Sequence, residues 1–111
     1  MAGEKPSSVE VLKQHHPQVA EGFLAMRGAA GKAGPLNPKI LELILLSGYT
    51  VARQEGGYKT HAGRAMDLGA TAEEVLHATV INLGANAALE QVSDALTWAD
   101  AVIEARKQKA S

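Results

Sequence analysis

Two residues near the middle of the chain, Glu42 and His61, have side chains that could carry out acid–base chemistry. Glu42 interrupts the apolar stretch KILELILL, and His61 stands among small residues in ARQEGGYKTHAGRAM. A carboxylate beside an imidazole can move a proton near neutral pH, which suits general acid–base catalysis. Each residue alone also has a structural interpretation. Glu42 could pair with Lys39 on the surface, or be a buried carboxylate that pairs with Arg53 or a hydroxyl, and His61 could be a hydrogen-bonded core residue.

The segments that carry these two residues predict consecutive helices. Asn37 as N-cap and Pro38 at the first helical position begin a central helix that is apolar almost all round. The glycine pair Gly56 and Gly57 is expected to end this helix and begin a fourth one, at 57–68, with Gly69 as its C-cap. The free N–H groups at that start could receive an anion, or the glycines could simply allow a tight connection between two close helices.

On the fourth helix, His61 is expected to face inward. It shares a helical face with Tyr58, Ala62 and Ala65, and the small alanines allow a neighbouring helix to approach closely. A rise of 1.5 Å per residue places Glu42 about 12 Å farther from the glycine break than His61. Contact between the two side chains therefore requires steeply crossed helices, or a bridging water or ligand.

The whole chain predicts an all-α fold of about six helices. The other predicted helices run from Ser7 or Ser8 to His15, from Pro17 to about residue 28, from the capping box of Thr71 and Glu74 to about Leu83, and from 85 to 107. The segment RGAAGKAGPLN, residues 27–37, predicts a glycine-rich loop. It contains Gly-Lys, but Ala33 follows where a phosphate-binding loop needs Ser or Thr, which favours an ordinary loop.

The last predicted helix carries an apolar seam with heptad-like spacing. The seam consists of Ala85, Leu89, Val92, Leu96, Ala99 and Ile103. It could pack on the core of its own chain or against another subunit. Trp98 lies off the seam, where burial at an interface and contact with a ligand are both compatible with the sequence.

Composition limits the classes of function. The 111 residues predict one domain, 1–111, with a core at about 20–107. A net charge of −1 gives no basic surface for nucleic acid or an anionic membrane, and no apolar run is long enough to span a bilayer. We therefore expect a cytoplasmic protein without nucleic-acid or membrane partners.

The absence of cysteine further limits the chemistry that the chain can perform. The chain has no cysteine, which excludes disulfides, thiol nucleophiles and thiolate metal sites within it. A zinc site built from His15, His61 and His77 lacks the usual ligand spacing, so we expect no metal and no cofactor.

The spacing of Glu42 and His61 resembles that in the carboxymuconolactone decarboxylase and alkylhydroperoxidase D family. In the peroxidase branch of that family, a Glu precedes Cys-x2-Cys-x3-His by twelve residues. The same count from Glu42 reaches Gln54, Gly57 and His61, so two other residues stand at the cysteine positions. The stretches GPLNPKILELILL and HAGRAMDLGATAEEV, and Gly84 before the last helix, are also similar to the family, over residues 20–100.

The resemblance implies an alkylhydroperoxidase D-like fold that assembles as a trimer or hexamer, with catalytic roles for Glu42 and His61. The peroxidase branch requires a dithiol, so thiol peroxidase activity is not expected here. The decarboxylase branch lacks the cysteine pair and opens and decarboxylates a lactone without a cofactor. This favours acid–base chemistry on a small, anionic carboxylate or lactone, bound by Gln54, Gly57, Tyr58 and Arg53. The alternative is a non-catalytic scaffold or a ligand-binding member of the family.

Overall fold

In the computed structural model, residues 6–110 are described, and the regular secondary structure of that range is entirely helical. Its helices are α1 (Ser8–His15), α2 (Pro17–Gly31), α3 (Pro38–Ala52), α4 (Glu55–Asp67), α5 (Ala72–Val80) and α6 (Leu89–Ala110). The prediction of an all-α fold with about six helices is confirmed for this part of the chain. Backbone contacts divide it into two compact units, and the boundary along the chain lies between Pro35 and Leu36.

The first unit contains α1 and α2. The Ser7 hydroxyl accepts a hydrogen bond from the Glu10 N–H and caps α1. Ser7 is one of the two serines predicted as possible caps. Pro17 begins α2, but this helix continues to Gly31 instead of ending near residue 28. The first part of the predicted 27–37 loop is therefore helical, because the alanines that follow Gly28 favour helix more than the glycines oppose it.

The second unit contains α3 to α6 and has a continuous apolar core. The buried members of that core are Leu46, Tyr58, Ala62, Ala65, Ala70, Val75, Ala95, Ala99 and Ile103. α3 and α4 make the most extensive contact of any two helices described. They are joined only by Arg53 and Gln54, and together they form the helical hairpin that carries Glu42 and His61.

The break between α3 and α4 lies at Arg53, and the prediction that the glycine pair forms it is wrong. Arg53 adopts the left-handed conformation (φ 57°), and its N–H donates to the Thr50 carbonyl. The next N–H, of Gln54, donates to the Tyr49 carbonyl, which completes a Schellman-type helix end. Gly56 and Gly57 lie inside the first turn of α4.

The C-terminal end of α4 and the start of α5 follow the local sequence closely. Gly69 has a φ of 100° and ends α4, as its position in the sequence predicts. Thr71 and Glu74 form the predicted capping box of α5: the Thr71 hydroxyl accepts from the Glu74 N–H, and the Glu74 carboxylate accepts from the Thr71 N–H. α5 ends at Val80, three residues before the predicted end.

The last helix starts later than predicted because Asn82 organises a turn before it. The Asn82 carbonyl accepts the N–H groups of residues 85–87, and its buried side chain donates to Ser47 Oγ on α3. Ala85 therefore precedes α6, and Leu89 is 69% exposed, so neither belongs to a packed seam within this chain. The buried face of α6 consists of Val92, Ala95, Ala99 and Ile103.

Candidate functional site

Glu42 and His61 are in direct contact between α3 and α4. His61 Nδ1 lies 2.5 Å from Glu42 Oε2, and the two side chains are only 10% and 16% exposed. The structure thus brings together two residues nineteen positions apart in sequence. Glu42 does not form the expected ion pair with Lys39 or with Arg53, because Lys39 contacts Glu74 and Arg53 contacts Glu90.

The position of the helix break explains why the two side chains can meet. α3 ends at Ala52 and α4 begins at Glu55, earlier than a break at the glycine pair would allow. Measured from these ends at 1.5 Å per residue, the offset along the hairpin between Glu42 and His61 falls from about 12 Å to about 6 Å. Side-chain reach and the crossing of the two helices take up the remainder.

The second ring nitrogen of His61 is open. Among the described residues, His61 Nε2 has no hydrogen-bond partner. Every buried side-chain nitrogen or oxygen of residues 6–110 does have a partner. Nε2 is therefore not buried and is accessible to solvent. With Glu42 ionised and His61 neutral, Nδ1–H donates to the carboxylate, and Nε2 keeps a free lone pair. This arrangement can take up a proton at Nε2 and return it, while Glu42 fixes the ring and its tautomer.

Tyr49 is a neighbour of this pair and was not among the residues predicted for the site. Its ring stacks on the His61 ring, with centroids 5.2 Å apart and an angle of 24° between the planes. Tyr49 follows Glu42 by seven residues on α3, which is two helical turns and places both side chains on the same face. That spacing was the signal in the sequence that could have identified it.

Tyr58, one of four residues predicted to bind substrate, has a structural environment. It is fully buried, and its hydroxyl oxygen lies 2.6 Å from Thr79 Oγ1 on α5. Burial raises the pKa of the Tyr58 hydroxyl above its ordinary value, an effect that the hydrogen bond to Thr79 partly opposes. Its ring also packs edge-on against Trp98, with centroids 5.7 Å apart. Trp98 thus contacts the core of its own chain.

The other predicted binding residues lie around the start of α4. Gln54 is the exposed N-cap of α4, and Arg53 is exposed, with its guanidinium 3.6 Å from Glu90. Gly57 is half-buried beneath the Tyr49 ring, which supports the tight connection expected as the alternative to an anion site. Within residues 6–110, no hydrogen bond or ion pair joins these residues to the Glu42–His61 pair, so their binding roles stay predictions.

Two shallow surface cavities lie away from this pair. One, of about 280 Å³, is lined by Leu43, Glu74, His77, Ala78 and Ile81. The other, of about 380 Å³, lies on α2 and is lined by Gln18, Glu21, Gly22 and Ala25. Neither cavity is lined by Glu42 or His61.

Two further features of residues 6–110 bear on other classes of function. No group of three or more His, Asp or Glu side chains in this range is arranged to hold a metal ion. No helix in the same range is both long and apolar enough to cross a bilayer.

Comparison with known proteins gives one family. The sequence model of the carboxymuconolactone decarboxylase family matches residues 17–101. The match covers most of the chain, from the start of α2 into α6, and includes Glu42, Tyr49 and His61. No curated protein and no solved structure matches the chain significantly.

Proposed function

Because the chain belongs to the carboxymuconolactone decarboxylase family, we propose that it catalyses cofactor-free acid–base chemistry on a small carboxylate or lactone. The observation that carries this proposal is the contact of His61 Nδ1 with Glu42 Oε2, which leaves Nε2 open to solvent. A histidine held in one tautomer by a carboxylate is a common form of general acid and base.

The proposed reaction is a decarboxylation assisted by proton transfer. The bond between a substrate carbon and its carboxylate group breaks, and carbon dioxide leaves. The remaining electron pair delocalises into an adjacent unsaturated carbonyl, and protonated His61 delivers its Nε2 proton to the carbon. Glu42 stabilises the imidazolium before this transfer, and His61 then recovers a proton from solvent. One proton is consumed for each carbon dioxide formed, so no oxidant or reductant is needed.

The test is turnover of a carboxylated unsaturated lactone by purified protein. Loss of the conjugated absorbance and release of carbon dioxide are measured together, so that ring opening and decarboxylation are distinguished. Glu42→Gln and His61→Gln should each lower kcat by about 10²- to 10⁴-fold, the usual contribution of general acid–base catalysis. His77→Ala is the control, because His77 is exposed and outside the contact. Undiminished turnover in both site variants would refute the proposal.

A second candidate, a binding or scaffold member of the family, is favoured by a different observation. Glu42 and His61 satisfy each other, are mostly buried, and line neither of the two surface cavities described above. A carboxylate ligand that shifts the His61 resonances without being consumed would support this alternative. Turnover that depends on His61 would exclude it.

We also propose that the protein is a homo-oligomer. Many large apolar side chains of residues 6–110 are exposed, both on the helices and in the segments between them, and large exposed apolar surfaces mark sites of protein–protein contact. They include Val19, Phe23, Leu24, Met26, Leu36, Ile40, Ile44, Ile81 and Leu83. The trimer or hexamer implied by the family resemblance would cover such surfaces. Light scattering at micromolar concentration tests this, and a monomer mass at high concentration would contradict it.

A further inference from the structure

The Tyr49 side chain occupies a defined position on the surface of α4. Its ring lies over Gly57 and stacks on His61, which is one helical turn farther along the same helix. Residues four apart on a helix share a face, so the ring spans two successive positions of α4. Tyr49 therefore covers one face of the imidazole whose Nδ1 contacts Glu42.

Gly57 supplies the space that this ring needs. A Cβ atom added at Gly57 would lie 2.7 Å from Cδ1 and Cζ of Tyr49, which is closer than carbon atoms approach. The neighbouring Gly56 has no atom within 4 Å of the same added Cβ. Of the two glycines, only Gly57 is required by packing, and what it accommodates is the Tyr49 side chain.

We propose that Tyr49 is a positioning residue for His61, and that Gly57 is the position on α4 that holds the Tyr49 ring in place. The inference rests on the proposed function, because it concerns the same proton-transfer site. Glu42 fixes the edge of the imidazole at Nδ1, and Tyr49 restricts rotation of the ring about the Cβ–Cγ bond. Together the two contacts direct Nε2 towards solvent, where a ligand would approach.

The stacked ring, rather than the Tyr49 hydroxyl, performs this role. The hydroxyl has no hydrogen-bond partner among residues 6–110, and since every buried polar side-chain atom in that range is paired, it is accessible to solvent. Tyr49→Phe keeps the ring and should preserve the orientation of His61. Tyr49→Ala removes the ring. Gly57→Ala should displace it, because the new Cβ is fixed to the backbone of α4, whereas the Tyr49 side chain can rotate away from it.

The experiment measures His61 directly and needs no substrate. Diethyl pyrocarbonate modifies accessible imidazoles, and peptide mass spectrometry gives a rate for each histidine. His15, His16 and His77 are exposed and serve as internal references, whereas His61 is 8% exposed. Nitrogen-15 NMR of the imidazole reports in parallel which ring nitrogen carries the proton. A merely structural loss at Tyr49 would leave that tautomer unchanged.

The expected pattern is specific to the proposal. Tyr49→Ala and Gly57→Ala should each speed modification of His61 by about two- to twelvefold, the factor set by losing an aromatic pair. Both should replace the single Nδ1–H tautomer by a mixture, and the double variant should equal Tyr49→Ala alone. Tyr49→Phe and the matched control Gly56→Ala should behave as wild type. A Gly57→Ala effect that adds to Tyr49→Ala, or a Tyr49→Phe protein resembling Tyr49→Ala, would overturn the proposal.

These readouts separate the positioning role from the proposed reaction. If no lactone is turned over but the rates and tautomers follow the expected pattern, the proposed function fails and the role of Tyr49 stands. If turnover depends on His61, but Tyr49→Ala leaves the modification rate and the tautomer of His61 unchanged, the proposed function stands and the positioning role of Tyr49 fails. Far-UV circular dichroism establishes that each variant is folded, and the rates at the three reference histidines correct for differences in reagent concentration.

Discussion

The hydrogen bond between Tyr58 and Thr79 decides whether Tyr58 has a structural or a binding role. The Thr79 hydroxyl donates its only hydrogen to the Val75 carbonyl at 2.9 Å, so the Tyr58 hydroxyl is the donor in the 2.6 Å contact with Thr79. Both residues are fully buried. Removing the acceptor therefore leaves a buried donor unsatisfied, whereas removing the donor does not.

This asymmetry sets the expected free energies of unfolding. Tyr58→Phe should cost about 1 kcal/mol, the net value of one hydrogen bond. Thr79→Val should cost more, up to about 3 kcal/mol, because the Tyr58 O–H stays buried without a partner. The double variant should cost less than the sum of the two, since two apolar groups replace both partners.

Urea unfolding followed by Trp98 fluorescence measures these changes. Trp98 is the only tryptophan and its ring contacts that of Tyr58, so it reports on this part of the core. Protein concentration is held fixed, because an oligomer would make stability depend on it. A Thr79→Val variant no less stable than Tyr58→Phe, or strictly additive costs, would refute the reasoning. Loss of turnover in a stable Tyr58→Phe protein would show that this hydroxyl contacts substrate.

Three further predictions concern the chemistry, the pH dependence and the core. The wild-type protein should consume no peroxide with a dithiol reductant, because Gln54 and Gly57 replace both thiols; turnover above that of a Glu42→Gln control would contradict this. The Thr71 N–H, and then Lys39, lower the pKa of Glu74, so its stabilising effect is present above the ordinary carboxyl pKa of 4.5 and is lost as pH falls through the lowered pKa. The difference in melting temperature between wild type and Glu74→Gln should therefore stay constant above pH 4.5 and shrink as pH falls below 4.5, and a difference that does not shrink there would contradict the assignment. Leu46→Ala should cost about 2–5 kcal/mol in urea unfolding, since Leu46 is fully buried in the core, and a cost below about 1 kcal/mol would show that the site is not packed as described.

The sequence by itself determined the helices and several of their ends. Asn37 with Pro38, the capping box of Thr71 and Glu74, and Gly69 each act through hydrogen bonds or backbone angles within a few residues. Such signals are local, so they can be read without knowing the fold. The spacing of Glu42 and His61, which resembles that of the family, predicted that these two residues form the site. Helix geometry with a break at the glycine pair predicted about 12 Å between them along the hairpin, which argued against contact.

The tertiary structure alone decided which side chains meet. Arg53, not a glycine, adopts the left-handed angle between α3 and α4, and this shift of the break lets Glu42 reach His61. The space beside Gly57 is filled by Tyr49 rather than left open for an anion. These outcomes depend on how two helices pack across the hairpin. No spacing within a single helix encodes that packing, because the free energy of each contact depends on partners that only the folded chain brings together.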